Sequence, residues 1–340
     1  MDDRATSTRA DRPEAILHGG DLDEISRRYP DAPRPWLDLS TGINPVPYPV
    51  PAIPAASWAR LPAKSEQRAL LAAAAARYGV ASAEMIVAAP GTQALLQVLP
   101  RLRSRSSVAV LAPTYEEHAA CWARCGHPVQ LVEDVAQLAE ADVAIVVNPN
   151  NPTGRLLSRD TLVGLAAALR RRDGLLIVDE AFADLYPADA SLAADPPPAT
   201  IVLRSFGKIY GLAGVRLGFA ITSEDTGQLR DELGPWAVSG PALAIGTLAL
   251  GDDPWLGRTR ARLAADGERL DALLSQGGCA VAGGTPLFRL IYSANAADVA
   301  ARLARHGIHV RRFPAHPSWL RFGLPGDETG WQRLASALAL

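Results

Sequence analysis

The chain has 340 residues, of which 48% are hydrophobic and 21% charged, and its formal net charge at pH 7 is -2. This length can bury a large core and is typical of two domains or one large one, and the near-neutral charge gives no strong field that would favour nucleic acid or an anionic membrane. Three cysteines, an odd and low number, indicate a reducing compartment, and no uninterrupted apolar run reaches the ~18 residues that a membrane helix needs.

The N-terminal part of the chain is predicted to be mostly irregular. Residues 1–15 are polar, carry charges throughout and lack the apolar core of a signal peptide, which indicates a frayed segment of a cytoplasmic protein. A short helix is expected up to Tyr29. The proline-rich run 45–54 excludes helix and favours an arm that lies across a surface. Because this arm has nothing obvious to cover within one subunit, we expect a homodimer.

From residue 66 onward the pattern becomes an alternation of helices and apolar strands. An alanine- and leucine-rich helix is predicted over 66–78, with Gly79 as its stop signal, and another over 161–172. Continuous apolar strands alternating with helices indicate an α/β fold, with a mainly parallel sheet covered on both faces. The predicted strands are 85–88, 108–111, 129–132, 143–147, 175–178, 200–203 and 215–221.

The pattern changes beyond Pro254. A long helix is predicted over 255–276, and a strand, a helix, two short strands and a last helix follow it, which is typical of a smaller α+β domain. Those strands are 287–292, 308–311 and 319–322, and the helix between them is 296–306. We therefore divide the chain into an N-terminal arm (1–60), a large domain (61–250) and a small C-terminal domain (251–340).

One lysine stands among small residues between two predicted strands. Lys208 has Ser205 three residues before it and Arg216 eight residues after it. A lysine held in this way suggests an amine for Schiff-base chemistry, with the serine and the arginine available for a phosphate. The alternative is a solvated loop lysine, as most lysines are.

Polar residues also follow two neighbouring strands. Asn151 lies in a turn after strand 143–147, where ligands of parallel sheets bind, although turn chemistry alone explains its presence. Asp179 and Glu180 end strand 175–178, and an acid buried there must be paired because an unpaired buried charge costs several kcal/mol. A protonated pyridine nitrogen would be one such partner, and a helix cap or a structural ion pair is the alternative.

Two further segments could contact a flat, phosphorylated ligand. Gly91 and Thr92 open a helix, whose free backbone amides can bind phosphate. Tyr115 follows strand 108–111 and could stack its ring on a flat cofactor. Each of them could equally be a helix cap or a core ring.

A metal site is the competing interpretation of one helix. His118, Cys121, Cys125 and His127 are ligand types at close spacing, and the first three share a helical face. Zinc sites more often have a tighter Cys-x-x-Cys pair or a longer loop, and buried cysteines behave as small apolar residues. We therefore expect no metal.

The order and spacing of these motifs resemble the fold-type I enzymes that use pyridoxal 5'-phosphate (PLP), the aspartate aminotransferase superfamily. The resemblance extends from His18 to the last helix. Its most specific elements are Asn151-Pro152-Thr153-Gly154, Asp179-Glu180-Ala181 and Ser205-x-x-Lys208 with Arg216.

The resemblance implies a role for each motif residue. It implies that Lys208 binds PLP covalently, that Asp179 faces the pyridine nitrogen, that Asn151 bonds the phenolic oxygen and that Tyr115 stacks on the ring. Gly91, Thr92, Ser205 and Arg216 would hold the cofactor phosphate. Arg321 matches the arginine that binds the substrate carboxylate, although the residue by itself could be a surface charge on a strand.

Within the superfamily the chain resembles the branch of threonine-phosphate decarboxylases and histidinol-phosphate aminotransferases, which act on phosphorylated amino substrates. Arg311 lies in a segment that gives this branch a second arginine. The segment at His18, the segment that leads to Asn44, and Phe182 resemble the decarboxylases more, so His18, Asn44, Arg311 and Arg321 are the candidate substrate anchors. Leu61 stands where the superfamily has a tyrosine that reaches the partner subunit's cofactor phosphate, so that contact is missing or replaced.

The implied reaction is PLP-dependent decarboxylation of L-threonine O-3-phosphate to (R)-1-amino-2-propanol O-2-phosphate, in cobalamin biosynthesis. The alternative is an aminotransferase that acts on a phosphorylated amino acid such as histidinol phosphate. A third possibility, a non-catalytic assembly partner in a corrinoid pathway, is disfavoured by the intact Lys208.

Overall fold

Two β-sheets organise the chain in the structure, a computed structural model that describes residues 18–339. The prediction for residues 1–15 lies outside this range. The strands are β1 (Leu37–Leu39), β2 (Ile86–Ala89), β3 (Val108–Leu111), β4 (Val129–Val132), β5 (Val143–Val147), β6 (Leu175–Asp179), β7 (Thr200–Ser205), β8 (Gly218–Ile221), β9 (Ala280–Thr285), β10 (Phe288–Tyr292), β11 (Ile308–Arg312) and β12 (Trp319–Gly323).

Helices cover the faces and ends of these sheets. They are α1 (Leu22–Arg28), α2 (Ala55–Ala59), α3 (Lys64–Tyr78), α4 (Thr92–Val98), α5 (Glu117–Arg124), α6 (Val135–Leu138), α7 (Arg159–Arg170), α8 (Gly227–Leu233), α9 (Gly240–Leu250), α10 (Asp253–Gln276), α11 (Ala296–Arg305) and α12 (Glu328–Leu338). Short 3-10 helices cover Ala83–Met85, Leu99–Leu102, Ala183–Leu185, Ala188–Ala190 and Ala213–Val215. None of the described helices is both long enough and apolar enough to cross a membrane.

The larger sheet has seven strands in the order β2-β8-β7-β6-β5-β3-β4. The strands from β7 to β4 pair in parallel, and β8 pairs antiparallel with both β7 and β2. Its strands β3 and β5 are buried along their whole length, as parallel strands covered on both faces require. The predicted α/β class with a mainly parallel sheet is confirmed. The parallel connections bring several strand ends to one edge of the sheet.

The smaller sheet has five strands in the order β1-β11-β12-β10-β9. Strand β1 comes from the N-terminal segment and pairs in parallel with β11, so residues 37–39, expected in the arm, belong to this sheet. A three-residue strand is too short to give a period-2 signal. Strand β9 was not expected because its two glycines, Gly283 and Gly284, weaken the strand pattern. The division at residues 60 and 250 stays a prediction.

The predicted strand 215–221 is wrong in its first part. Residues Ala213–Val215 form a 3-10 helix, and Arg216 follows with a φ of 54° and a ψ of 60°. This left-handed conformation is uncommon for residues other than glycine and cannot continue into a strand. Strand β8 therefore begins at Gly218.

The proline-rich run 45–54 contains no helix or strand, as predicted. It does cover a surface of its own subunit. The Tyr48 amide donates to the Tyr210 carbonyl at 2.8 Å, and the Tyr48 ring lies edge-on to Trp255 with ring centroids 5.1 Å apart. The expectation that this run has nothing to cover within one subunit is therefore wrong at Tyr48.

Candidate active site

A cavity of about 310 Å³ lies where the carboxyl ends of the parallel strands meet the smaller sheet. Strand ends and following loops of the larger sheet supply one wall, and β11, β12 and the N-terminal segment supply the other. Every predicted site residue except Asn44 lines it: His18, Gly91, Thr92, Tyr115, Asn151, Asp179, Ser205, Lys208, Arg216, Arg311 and Arg321. The tertiary structure thus gathers motifs that are spread over 300 residues of sequence.

Lys208 follows β7 and reaches the cavity with an amine that is easily deprotonated. Burial and the charges of the nearby Arg321 and Arg216 lower the pKa of Lys208 from 10.5 to about 8, with Asp179 partly offsetting them. Its Nζ lies 5.5 Å from the centroid of the Phe182 ring. A neutral amine is the form that attacks an aldehyde, so Lys208 is suited to this chemistry near neutral pH.

Asp179 is held in place by a histidine. Its Oδ2 lies 2.8 Å from His118 Nε2, and its Oδ1 accepts the backbone N–H of Ala181 at 3.0 Å. The aspartate is 4% exposed and the histidine 2% exposed. Because a carboxylate only accepts, the Nε2 nitrogen carries the hydrogen of this contact. His118 thus fixes the orientation of Asp179, which lines the cavity.

The neighbouring acid, Glu180, does not face the cavity. It accepts a hydrogen bond from Arg204 at 2.8 Å and from Ser191, and Arg204 also bonds Asp184. Both acids predicted at the end of β6 are therefore paired, as their burial requires. Only Asp179 is left to serve a ligand.

At the end of the cavity near α4, the backbone of Gly91 lies close to the guanidinium of Arg216. Gly91 precedes α4 with a φ of 83°, and a Cβ built there would lie 2.7 Å from Arg216 Nη2. The positive φ favours glycine, and a larger residue would also displace the guanidinium of Arg216. Thr92 and Ser205 line the cavity beside it. Backbone amides, two hydroxyls and an arginine form a donor set that matches phosphate.

Tyr115 is tied to the same end of the cavity by its hydroxyl. The hydroxyl donates to Gln93 Oε1 at 3.3 Å, and the ring lies edge-on to His118 with ring centroids 6.1 Å apart. Burial, with the negative charges of Glu117 and Asp179, raises the pKa of Tyr115 to about 12. The hydroxyl is therefore neutral at ordinary pH, and the side chain lines the cavity.

Asn151 and Arg321 contact each other across the cavity. The Arg321 Nη1 donates to the Asn151 side-chain oxygen, and Nη2 donates to the Ser40 carbonyl at 2.7 Å. The Arg321 Nε is buried without a hydrogen-bond partner in the described part of the chain. Such a buried, unpaired donor costs about 1–3 kcal/mol, so an incoming anion would be favoured here.

A second arginine lies opposite the first. Arg311 on β11 is the direct register partner of Arg321 on β12. Burial lowers the pKa of both guanidinium groups, and the charge of Arg311 lowers that of Arg321 further. Arg311 Nη1 is also buried without a described partner. Like charges placed opposite each other destabilise a strand pair, and an anion between them would relieve that repulsion.

His18 lines the remaining side of the cavity, and Glu117 contacts it from behind. His18 Nε2 lies 3.2 Å from Glu117 Oε1, and the imidazole is partly exposed at the cavity. The backbone beside it is fixed because the Gly20 amide donates to Ser40 Oγ at 2.7 Å. The N-terminal segment therefore contributes a side chain to the site.

Asn44 does not belong to the cavity wall formed by the described residues. It is 1% exposed, its Nδ2 donates to the Ile209 carbonyl at 2.8 Å, and its Oδ1 accepts from Arg262 at 2.6 Å. These contacts hold the loop that carries Lys208. The geometry therefore corrects its role from a substrate anchor to a structural residue.

The residues considered for a metal have other contacts. His118 bonds Asp179, and His127 bonds the Ser106 amide and the Pro100 carbonyl. No group of three or more potential metal ligands comes together among residues 18–339.

The sequence did not reveal three contributors: His118, Glu117 and Gln93. His118 was weighed only as a metal ligand, and its contact with Asp179 spans 61 positions. A weak signal existed, since Glu117 and His118 begin the helix that follows Tyr115 almost directly. Sequence spacing alone does not say which of them points inward.

Comparisons with known proteins agree with this geometry. The family model described as aminotransferase class I and II matches residues 55–338. A threonine-phosphate decarboxylase from Pseudomonas aeruginosa is 45% identical over 327 residues, which cover 95% of this chain and 97% of that protein. A threonine-phosphate decarboxylase from a Sinorhizobium species is 45% identical over 332 residues, which cover 95% of this chain and 98% of that protein.

A solved structure shares the fold. The crystal structure of histidinol-phosphate aminotransferase from Sinorhizobium meliloti, in complex with pyridoxal-5'-phosphate, matches with a TM-score of 0.80 and 23% identity, covering 98% of each chain. The expected fold type I architecture is thereby confirmed.

Proposed function

The chain belongs to the aminotransferase class I and II family, and from its similarity to two threonine-phosphate decarboxylases we propose that it is a lyase that decarboxylates L-threonine O-3-phosphate. The product is (R)-1-amino-2-propanol O-2-phosphate, a building block in cobalamin biosynthesis. The cofactor is pyridoxal 5'-phosphate. Bound through its aldehyde carbon to an amine, it supplies a ring that accepts the electron pair left when a bond to the substrate's Cα breaks.

The residues present fit this cofactor. Lys208 offers a buried amine with a pKa of about 8, and Asp179 offers a carboxylate fixed by His118. Gly91, Thr92, Ser205 and Arg216 would hold the cofactor phosphate. Asn151 would bond the phenolic oxygen, and Tyr115 would lie against the ring. The unpaired buried donor on Arg321 is a further sign that the cavity is built for an anion.

The observation that carries the choice of substrate is the opposed pair Arg311 and Arg321 beside His18. Threonine phosphate carries a carboxylate and a phosphate on adjacent carbons, so it needs two anion sites close together. We assign the carboxylate to Arg321, and the phosphate to Arg311 and His18. Charge-assisted contacts of this kind are short and about twice as strong as neutral ones.

These residues would perform the reaction by orientation and proton transfer. Arg311 and His18 would hold the phosphate and Arg321 the carboxylate, and together these contacts would decide which bond to the substrate's Cα breaks. Asp179 would accept a hydrogen bond from the protonated ring nitrogen of the cofactor, and His118 keeps Asp179 in position. When carbon dioxide leaves, Lys208 Nζ delivers a proton to Cα of the product.

An aminotransferase is the second candidate, because the family model and the matching solved structure both carry that description. In that case the same residues would act on a phosphorylated amino acid such as histidinol phosphate, and Lys208 would remove the Cα proton. The test is to incubate the holoenzyme with threonine phosphate, and separately with histidinol phosphate and 2-oxoglutarate. We expect carbon dioxide from the first mixture and no glutamate from the second; the reverse result would identify an aminotransferase.

We also propose a cytoplasmic homodimer. Three cysteines, all free thiols, suit a reducing compartment. Several large apolar side chains are exposed near the N-terminal side of α3, and a second copy of the chain would cover them. They include Trp58, Leu61 and Trp236, which are 68%, 64% and 59% exposed.

A further inference from the structure

Glu117 is a buried acid whose role the proposed reaction leaves unexplained. It begins α5 and is 8% exposed. Although burial alone would raise its pKa, hydrogen bonds from Gln93 and Arg124 lower the pKa of Glu117 below its usual value. The group is therefore a carboxylate at neutral pH, buried beside a cavity that must accept anions.

The two oxygens of this carboxylate have different partners. Oε2 lies 2.9 Å from Gln93 Nε2 and 3.3 Å from Arg124 Nη2, and Cys121 Sγ lies 3.6 Å away. The contact with Gln93 links α5 to α4, and the three contacts together occupy Oε2. Oε1 points instead to His18 Nε2, at 3.2 Å, across 99 positions of sequence.

Burial does not force the contact with His18, because the histidine side chain is 47% exposed. His18 also lines the large cavity and a small adjoining cavity, and Arg311 lines both of them. The imidazole could turn away from the substrate side at little cost. The bond to Glu117 is the contact that keeps it at the boundary of the two cavities.

We propose that Glu117 is a positioning residue that orients His18 toward the phosphate of the substrate. The proposal rests on the function proposed above, which places the phosphate at His18 and Arg311. Since a carboxylate only accepts, His18 Nε2 must donate to it, and Nδ1 is left to face the substrate. In the imidazolium form both nitrogens donate, one to Glu117 and the other to the phosphate.

The sign of the effect separates this role from a purely electrostatic one. A negative charge near the site repels a phosphate, so if Glu117 acted by its charge alone, its removal would tighten anion binding. If Glu117 acts by holding His18, its removal weakens anion binding. The effect also disappears when His18 is already absent.

The experiment is a double-mutant cycle on the holoenzyme with Glu117→Ala, His18→Ala and the double variant. Inorganic phosphate is titrated by calorimetry, and KM and kcat are measured with threonine phosphate. We expect Glu117→Ala to raise the dissociation constant for phosphate and the KM about tenfold, with kcat changed less than about threefold. In the His18→Ala background the same substitution should change neither value more than about twofold.

Arg124→Ala is the matched control, since it removes another partner of Glu117 through a side chain that is 52% exposed and does not line the cavity. It should leave phosphate binding unchanged. Glu117→Leu, which is similar in size but has no acceptor for His18 Nε2, serves if Glu117→Ala fails to fold; it should weaken phosphate binding in the presence of His18 only. PLP absorbance reports that the cofactor site is intact in each variant.

The proposal would be overturned if removing Glu117 lowered phosphate affinity equally with and without His18. It would also be overturned if removing Glu117 tightened phosphate binding. The phosphate titration does not depend on turnover. If the wild-type protein released no carbon dioxide from threonine phosphate, the proposed function would fail, while the titration would still decide whether Glu117 acts through His18.

Discussion

Arg311 and Arg321 are direct partners across the antiparallel pair β11 and β12, with a buried donor on each that has no partner within residues 18–339. Two positive charges opposite each other cost stability unless an anion lies between them. An anion bound between the two guanidinium groups would offset this cost. This relationship motivates the first prediction.

Arg311→Ala should weaken threonine phosphate binding about tenfold to a hundredfold, because a charge-assisted phosphate contact is worth roughly 1.5–3 kcal/mol. PLP affinity should be unchanged, since its phosphate would use Thr92, Ser205 and Arg216. Substrate and cofactor affinities are measured separately. Arg312→Ala is the control, because this neighbour is exposed and does not line the main cavity. A loss of PLP affinity with substrate affinity retained would assign Arg311 to the cofactor.

Lys208→Ala should abolish the covalent attachment of PLP and the activity. The chain has two lysines, Lys64 and Lys208, so the site of attachment can be mapped without ambiguity. Borohydride reduction of the holoenzyme followed by peptide mass spectrometry should find the label on Lys208. Lys64→Ala should keep both the label and the activity. A borohydride-reducible adduct in Lys208→Ala would show that the assignment is wrong.

The pKa of Lys208, about 8 instead of 10.5, predicts a pH dependence of stability in the cofactor-free protein. Between these values the unfolded chain binds a proton that the folded chain does not, so the free energy of unfolding rises with pH. Relative to Lys208→Met, the gain across this window should reach up to roughly 3 kcal/mol. Denaturant unfolding of both proteins at several pH values measures it; a flat or falling difference would contradict the lowered pKa.

The same lowered pKa predicts that PLP binds faster as the pH rises through about 8, because only the neutral amine attacks the aldehyde. Rapid-mixing absorbance with the cofactor-free protein follows the rate. The midpoint should move upward in Arg321→Ala, since Arg321 is one cause of the lowered pKa of Lys208. An unchanged midpoint in that variant would mean that Arg321 does not contribute to the lowered pKa.

His118→Ala should destabilise the protein by about 1–3 kcal/mol, because it leaves a buried oxygen of Asp179 without its donor at 2.8 Å. The penalty should largely vanish in the Asp179→Ala background, where no carboxylate remains to be paired. Thermal unfolding of the four proteins in the cycle gives the coupling. Additive penalties would mean that His118 stabilises the core independently of Asp179.

If the protein is a homodimer, light scattering at micromolar concentration should give the mass of two chains. Trp58→Glu should shift the protein toward monomer, since this side chain is 68% exposed and would be buried by a second copy. Leu156→Glu, on an apolar residue that is 42% exposed elsewhere, is the control. A fully active wild-type monomer would contradict the proposal.

Much of the large sheet could be predicted from the sequence, because continuous apolar runs such as 108–111 and 143–147 are long and bounded by turn signals. Strands with a weak local pattern were not predicted. Strand β1 has three residues, and β9 contains Gly283 and Gly284, so their pairing with distant strands determines their structure. At Arg216 the left-handed backbone overrides a strand pattern that the apolar neighbours favour.

The sequence by itself determined the fold class, the family resemblance and the residue types available for a phosphorylated cofactor, since these follow from local patterns and motif spacing. Only the tertiary structure decided which side chains share the cavity. It excluded Asn44, which bonds Ile209 and Arg262, and it brought His118 to Asp179. It also placed Arg311 opposite Arg321. The physical reason is that burial and pairing of a charge depend on strands and helices far apart in the chain, which no local pattern encodes.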